Sequence, residues 1–119
     1  MSGSYGSYVN GVFVPSTYEA EGATPQTGVD RMKPFVEWLR KYNKKGMVGE
    51  YGIPDDDQRW NTVLENMLIY LRDNGVPGTY WSAGPRWGYY RLAVQPTNNY
   101  TTDRPQMKVL EKYTKTDPK

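Results

Sequence analysis

The chain contains 119 residues, enough for one domain with its own core but too few for two. It has no His and no Cys, so imidazole bases, thiolate nucleophiles and Cys or His metal sites are excluded. The net charge of +2 comes from interspersed acidic and basic residues, a pattern that does not favour nucleic-acid binding. No segment approaches the roughly 18 apolar residues of a membrane span, and the sequence starts without the pattern of a signal peptide.

Residues 1–27 are rich in Gly, Ser, Tyr, Thr and Pro, and their one dense apolar patch, residues 9–14, is broken by an Asn-Gly pair. This composition predicts a loop. Residues 2–8 are typical of a flexible leader. An alternative interpretation is that they form the tail of a long functional loop whose supporting strand is missing.

A helix is predicted from residue 27, because apolar side chains recur at three- and four-residue steps: Met32, Phe35, Val36, Leu39 and Tyr42. Pro34 cannot lie deep inside a helix, so either the helix starts near Lys33 or an initial turn capped by Thr27 kinks at the proline. Gly46 then ends the helix. Trp38 is expected in the core, since aromatic residues on helices are more often buried than used for binding.

Residues 47–51 are too few for a helix and predict a buried strand, with Glu50 near its C-terminal end. A second helix should follow at once, because Asp55 and Gln58 have capping-box spacing. The acidic run 55–57 favours a helix start over a calcium site, since the Gly and Glu spacing of a calcium loop is absent. The apolar stripe of this helix is expected to be buried: Trp60, Val63, Leu64, Met67, Leu68 and Leu71.

The Asn-Gly pair 74–75 ends this helix, and residues 76–81 predict a second strand. Strand, helix and strand at this spacing form a right-handed parallel unit. A long loop over residues 82–102 follows, and Asp103 with Gln106 repeats the capping-box spacing at the start of a short C-terminal helix. Two parallel strands leave unpaired edges, so the predicted sheet is incomplete.

The two predicted strands end beside each other. In folds that alternate strands and helices, active sites lie beyond the C-terminal ends of the strands. Glu50 and Trp81 occupy those ends, and Trp87 and Tyr90 lie in the following loop, so these side chains should face a common opening. A carboxylate beside flat rings suits a sugar, because the C–H face of the sugar stacks on indole and the carboxylate can attack or stabilise the anomeric carbon.

Four sequence motifs occur in an order that is typical of one enzyme family. They are VDRMKPFVEWL at 29–39, GEYGIP at 49–54, GTYWSAGP at 78–85 and DRPQM at 103–107. Together they resemble the C-terminal part of glycoside hydrolase family 5 cellulases, over nearly the whole chain. The resemblance implies an α/β fold, namely a partial (β/α)8 TIM barrel of two parallel strands and three helices, from roughly helix six to helix eight.

The resemblance also implies how a single incomplete domain over residues 1–119 is organised. Residues 1–27 would be the loop after barrel strand six. Residues 28–113 would contain helix six, strand seven, helix seven, strand eight and helix eight in that order, and residues 114–119 would form a tail. The remaining strands would be supplied by self-association or by a missing N-terminal half-barrel.

For the site, the resemblance implies that Glu50 is the nucleophile of a retaining endo-β-1,4-glucanase. The counterpart of Trp81 in the family stacks on the sugar where the bond is cleaved, and Trp87 and Tyr90 would hold neighbouring glucose units. The implied ligand is a β-glucan or a cello-oligosaccharide, with no metal and no cofactor. The implied location is extracellular.

The acid/base carboxyl group of the family comes from strand four, which these 119 residues do not include. Glu19 and Glu21 lie in a predicted loop and are expected on the solvated surface, so the chain should be inactive alone. Two alternatives remain, a non-catalytic carbohydrate-binding module built on a Trp and Tyr platform and a structural fragment with no function of its own. From residue type alone, Glu50 could also be an edge carboxylate paired with a Lys or Arg.

Overall fold

A computed structural model describes residues 6–113 of the chain. In chain order the elements are β1 (Gly6–Val9), β2 (Val12–Pro15), α1 (Thr27–Lys41), β3 (Val48–Tyr51), α2 (Arg59–Asp73), β4 (Gly78–Tyr80) and α3 (Met107–Tyr113). The first residues of the predicted leader and the predicted tail 114–119 lie outside the described residues. Within residues 6–113, no helix is long and apolar enough to cross a bilayer.

The segment predicted as a loop contains a β-hairpin, so the prediction was wrong for residues 6–15. β1 and β2 pair antiparallel, with Tyr8 opposite Phe13 and the two ring centroids 5.4 Å apart. Asn10 and Gly11 have left-handed φ angles of 52° and 77°. An Asn-Gly pair with positive φ is a preferred two-residue hairpin turn. The residues that break the apolar patch therefore allow its two halves to pair.

α1 begins at Thr27 and contains Pro34, so the earlier of the two predicted starts is confirmed, but Gln26 and not Thr27 is at the N-cap. Its inner face carries Val36 and Leu39, which are buried. Its aromatic side chains, in contrast, are partly exposed: Phe35 at 37%, Trp38 at 52% and Tyr42 at 50%. The prediction that Trp38 lies in the core was therefore wrong. Among the described elements α1 packs only on α2, which covers one side of the helix.

α2 provides most of the core. Its predicted apolar stripe is confirmed, because every member is buried: Trp60, Val63, Leu64, Met67, Leu68 and Leu71. Ile53 from the turn after β3 joins the same cluster, as do Val109 and Leu110 from α3. The helix begins at Arg59 with Gln58 at the N-cap and without a side-chain cap, so the predicted capping by Asp55 was wrong.

β3 and β4 form the predicted parallel pair, with Val48 opposite Gly78 and Tyr51 opposite Tyr80. α2 is the crossover between them, and both strands are shorter than the sequence indicated. Within the described residues each strand pairs on one side only, so both outer edges of this sheet are unpaired. The sheet is therefore as incomplete as the sequence predicted.

Candidate active site

Glu50 lies on β3 with its side chain exposed, whereas the next residue, Tyr51, is buried. Strand geometry explains the difference, since successive side chains point to opposite faces of a sheet. Across the part of the chain that the structure describes, no side chain forms an ion pair or hydrogen bond with the Glu50 carboxylate. The alternative in which a Lys or Arg holds Glu50 is therefore contradicted, and the carboxylate is accessible.

Trp81 follows β4 directly and is joined to the end of β3. Its backbone N–H donates a 2.7 Å hydrogen bond to the carbonyl oxygen of Tyr51. Gly52 permits this approach, because a Cβ atom at that position would overlap the carbonyl oxygen of Trp81. The peptide bond between Trp81 and Ser82 is cis. Glu50 and Trp81 thus lie at the same end of neighbouring strands.

The aromatic group, which we define as Trp81, Trp87 and Tyr90, is contiguous. The ring of Trp87 meets that of Trp81 edge to face, with centroids 5.1 Å apart at 74°, and stacks on Tyr90 at 5.0 Å and 29°. Trp81 is 40% exposed and Trp87 37% exposed, so part of each ring is accessible. The group offers flat carbon surface of the kind on which sugar rings stack. Tyr89, which is 98% exposed, does not belong to it.

The acidic run after β3 binds arginines, and Asp57 also accepts a 3.0 Å hydrogen bond from the backbone N–H of Arg59 at the start of α2. Each of the acids pairs with a different partner: Asp55 with Arg104 at 2.6 Å, Asp56 with Arg91 at 2.9 Å and Asp57 with Arg59 at 2.7 Å. The Arg59 guanidinium holds the pKa of Asp57 below its usual range. No group of three His, Cys, Asp or Glu side chains within residues 6–113 could hold a metal ion. Asp55 and Asp56 therefore fasten the turn after β3 to the loop that precedes α3, whereas Asp57 binds the first residue of α2.

Sequence reasoning missed the buried polar residues beneath the aromatic group. The hydroxyl of Tyr80, on β4, donates a 2.7 Å hydrogen bond to the carbonyl oxygen of Leu92, and burial raises the pKa of Tyr80. Gln106 was predicted to lie in the first turn of a helix that opens at Asp103, but α3 begins at Met107. Its fully buried amide instead donates to the carbonyl oxygens of Ile53 and Arg91, at 3.3 and 3.1 Å. The DRPQM motif marked this position without revealing its role.

The site offers a carboxylate beside a stacking surface, but a glycosidase also needs a second carboxyl group. Retaining enzymes place it about 5 to 5.5 Å from the nucleophile. Glu19 is not suited to this role, since it lies in the loop before α1 with 68% of its side chain exposed. It forms an ion pair with Arg59, which holds its pKa below the usual range.

Comparison with known proteins shows relatives of one kind. No protein-family model matches the chain. Over 74 residues, 60% of the chain, it is 34% identical to an Aspergillus oryzae protein named probable endo-beta-1,4-glucanase B. The structure of Pseudomonas stutzeri endoglucanase Cel5A in complex with cellobiose matches 78% of the chain, with 49% identity and a TM-score of 0.72. An endo-beta-1,4-glucanase from Xanthomonas axonopodis pv. citri matches 76%, with 34% identity and a TM-score of 0.70. These relatives are glycoside hydrolase family 5 cellulases, and the matches are consistent with the chain being a part of such an enzyme.

The chain spans only part of the proteins that it matches. It covers 22% of the Aspergillus relative and 28% and 29% of the two solved structures. Those structures are TIM-barrel enzymes, and the three helices and two small sheets of the chain are consistent with part of such a barrel. The resemblance to family 5 cellulases that the four sequence motifs predicted is therefore confirmed, and it covers only part of those enzymes.

Proposed function

We propose that this chain provides the nucleophile and the sugar-stacking side of a retaining endo-β-1,4-glucanase site. The observation that supports the proposal is the placement of an unpaired Glu50 and of Trp81 at the same end of adjacent strands. In this assignment β3 and β4 are barrel strands seven and eight, and α1, α2 and α3 are helices six, seven and eight. Residues 6–26 then belong to the segment that follows strand six.

Glu50 is the proposed nucleophile. Its carboxylate attacks the anomeric carbon and forms a covalent glycosyl-enzyme, which water then hydrolyses. An exposed carboxylate without a cationic partner keeps its oxygen lone pairs available for this attack. The second carboxyl group, which protonates the leaving oxygen and later activates water, belongs to barrel strands outside these 119 residues. The chain alone is therefore expected to hydrolyse nothing.

The proposed substrate is a β-1,4-glucan. The accessible rings of Trp81 and Trp87 suit the C–H faces of glucose units, and the stacked Tyr90 extends the same surface. The names of the relatives specify endo-β-1,4-glucanases, and solved relatives contain cellobiose and cellopentaose. A polymeric glucan does not enter cells intact, so we extend the expected extracellular location to the enzyme that contains this chain.

The rest of the barrel has surfaces on which to pack. Beside β4, a cavity of about 640 Å³ opens between α2 and α3, and apolar side chains dominate its walls: Leu68, Leu71, Val76, Val94, Met107 and Leu110. Beside β3, Met47 is 53% exposed, and the aromatic residues of α1 are accessible. Burial of apolar surface contributes about 25 cal/mol per Å². We propose that a half-barrel, or a second copy of this chain, covers these surfaces and pairs with the strand edges.

A second candidate function is a non-catalytic carbohydrate-binding module. The observation that favours it is that Trp81, Trp87 and Tyr90 already form a stacking surface, whereas catalysis needs a second carboxyl group. The module would bind cello-oligosaccharides through the aromatic group alone. Glu50 would then contribute at most a hydrogen bond to a sugar hydroxyl.

One pair of measurements separates these functions. Residues 1–119 are purified and tested for binding of cello-oligosaccharides and for release of reducing ends from a soluble cellulose derivative. The proposal predicts binding without hydrolysis, and hydrolysis once the complementary part of a family 5 barrel is added. If the chain binds cello-oligosaccharides but adding the complementary barrel part produces no hydrolysis, the carbohydrate-binding module is favoured. Neither binding nor hydrolysis, with or without the complement, would identify a structural fragment.

A further inference from the structure

Three consecutive carbonyl oxygens next to the aromatic group each accept a hydrogen bond from a different side chain. The pairs are Arg104 Nη2 to Tyr90 at 3.0 Å, Gln106 Nε2 to Arg91 at 3.1 Å and Tyr80 Oη to Leu92 at 2.7 Å. Residues 90–92 belong to no strand and no helix. Backbone carbonyls away from water need donors, and these side chains supply them, together with the backbone N–H of Asp55, which donates to the Arg91 carbonyl oxygen at 3.1 Å.

The donors are themselves held in place by the turn after β3. Arg104 is 5% exposed and pairs with Asp55 at 2.6 Å. Gln106 is fully buried and also donates to the carbonyl oxygen of Ile53 at 3.3 Å. The backbone N–H of Ile53 donates in turn to the hydroxyl oxygen of Tyr80 at 3.3 Å. The same three side chains thus connect the strand of the proposed nucleophile to the loop of the aromatic group.

The orientation of the stacked rings depends on this connection. The carbonyl that Arg104 holds belongs to Tyr90, whose ring stacks on Trp87, and the N–H of Tyr90 donates to the Trp87 carbonyl oxygen at 3.1 Å. A hydrogen bond from a guanidinium is stronger than one between neutral groups. The loop between β4 and α3 contains one 3₁₀ helix, Pro85–Trp87, and an isolated bridge between Thr97 and Thr102, so regular structure fixes little of it.

We propose that Tyr80, Arg104 and Gln106 are positioning residues that set the orientation of Trp87 and Tyr90 for a glucan chain. The inference rests on the proposed role of the aromatic group in sugar binding. It adds to that role that buried polar side chains fix the orientation of the stacking rings. The hydroxyl of Tyr80 is protonated at neutral pH, as the ordinary tyrosine pKa of about 10 requires, and so can donate its hydrogen bond.

The test compares variants of the full chain by near-ultraviolet circular dichroism. The signal of the aromatic group is defined as the difference between the unaltered chain and Trp87→Leu. Tyr80→Phe removes only the hydroxyl, and Arg104→Met removes the guanidinium. Lys112→Met is the matched control, since Lys112 on α3 forms its ion pair with Glu65 at 3.0 Å, away from the loop. Far-ultraviolet spectra confirm that each variant is folded, and cellopentaose binding is titrated in parallel.

We expect Tyr80→Phe and Arg104→Met to lose at least half of the aromatic-group signal while the far-ultraviolet spectrum is unchanged. Cellopentaose affinity should fall about tenfold in both, and Lys112→Met should keep signal and affinity. If the signal persists in folded Tyr80→Phe and Arg104→Met, the inference is overturned while the proposed function stands. If Arg104→Met does not fold, Tyr80→Phe decides alone. If the unaltered chain binds no cellopentaose, the proposed function fails, and the signal still decides whether these residues position the rings.

Discussion

The backbone N–H of Trp81 donates a 2.7 Å hydrogen bond to the carbonyl oxygen of Tyr51, which joins the ends of the two strands that carry the proposed site. Tyr51 directly follows Glu50 in β3, and Trp81 directly follows β4. One hydrogen bond therefore links the backbone next to the carboxylate with the backbone of the stacking ring. The close approach requires Gly52, which is the next residue after Tyr51.

Replacing Gly52 should disrupt this junction. In Gly52→Ala the new Cβ atom would overlap the backbone carbonyl oxygen of Trp81, which cannot rotate away as a side chain can. Overpacking of this kind lowers the free energy of unfolding by about 1 to 3 kcal/mol. Gly49→Ala is the matched control, because a Cβ atom there meets nothing within 4 Å. Urea unfolding compares the two, and equal losses of stability would contradict the tight junction.

The aromatic group should contribute directly to sugar affinity. In Trp87→Ala we expect cellopentaose binding to weaken by about three- to tenfold, since an aromatic contact contributes about 0.5 to 1.5 kcal/mol beyond area burial. Trp38→Ala is the control, because Trp38 on α1 is 52% exposed and its ring contacts only that of Tyr42 among the described ring pairs, with centroids 5.2 Å apart at 47°. Isothermal titration calorimetry measures both variants. A similar loss of affinity in Trp38→Ala would argue against a localised binding surface.

The core of α2 should dominate stability. Trp60 is 1% exposed, and its ring meets that of Tyr18 at 5.2 Å and 71°. Trp60→Ala is therefore expected to cost about 3 to 5 kcal/mol, a large part of the roughly 5 to 15 kcal/mol that keeps a domain folded. Tyr89→Ala should cost almost nothing, because Tyr89 is 98% exposed. Thermal unfolding by circular dichroism distinguishes them, and a melting temperature unchanged by Trp60→Ala would place the core elsewhere.

Acid should weaken the contact between α2 and α3. Glu65 accepts hydrogen bonds from Lys112 Nζ and Tyr113 Oη, both at 3.0 Å. These bonds hold the pKa of Glu65 below its usual range, and the bond from Lys112 has the larger effect. The pKa of Glu65 is lower in the folded chain than in the unfolded chain, where it is about 4.3. The ionised Glu65 therefore stabilises the fold above that unfolded pKa, and this stabilisation is lost as the pH falls through the folded pKa.

Glu65→Gln should therefore reduce the loss of unfolding free energy on acidification below about pH 5. The expected sign is a smaller stability difference between neutral and acidic pH in the variant than in the unaltered chain. Urea unfolding at several pH values provides the measurement. The same pH dependence in both proteins would show that Glu65 is not responsible for it.

Periodicity in the sequence was sufficient to predict the elements of the barrel segment, but not what covers them. Both Trp38 and Trp60 were expected in the core, yet Trp38 is 52% exposed and Trp60 1%. The difference arises because α3 and the turn after β3 cover α2, whereas only α2 contacts α1 among the described elements. No local pattern carries that information.

The polar residues show the same limit in a different way. Asp55 and Gln106 each belong to a pair with capping-box spacing, Asp55 with Gln58 and Gln106 with Asp103. In the structure Asp55 instead binds Arg104, and Gln106 donates to the carbonyl oxygen of Ile53. Capping is a local interaction that spacing can suggest, whereas these contacts depend on how the loops meet in three dimensions. Glu50 could be identified from the sequence because its strand is followed by Gly52 and because the chain has no His or Cys that could serve as nucleophile or base.

The central claim is that Glu50 is the nucleophile of a site that the rest of the barrel completes. The most direct test mixes residues 1–119 with the complementary part of the Pseudomonas stutzeri Cel5A barrel, from a relative with 49% identity, and measures hydrolysis of carboxymethyl cellulose. Glu37→Gln is the matched control, since Glu37 is an exposed carboxylate on α1.

We predict hydrolysis by the mixture and by neither part alone. Glu50→Gln should lower the rate of the mixture about a thousandfold or more, which corresponds to about 4 kcal/mol of lost transition-state stabilisation. Glu37→Gln should leave the rate unchanged. Hydrolysis at an undiminished rate with Glu50→Gln would contradict the claim, and so would two parts that bind each other stably without any hydrolysis.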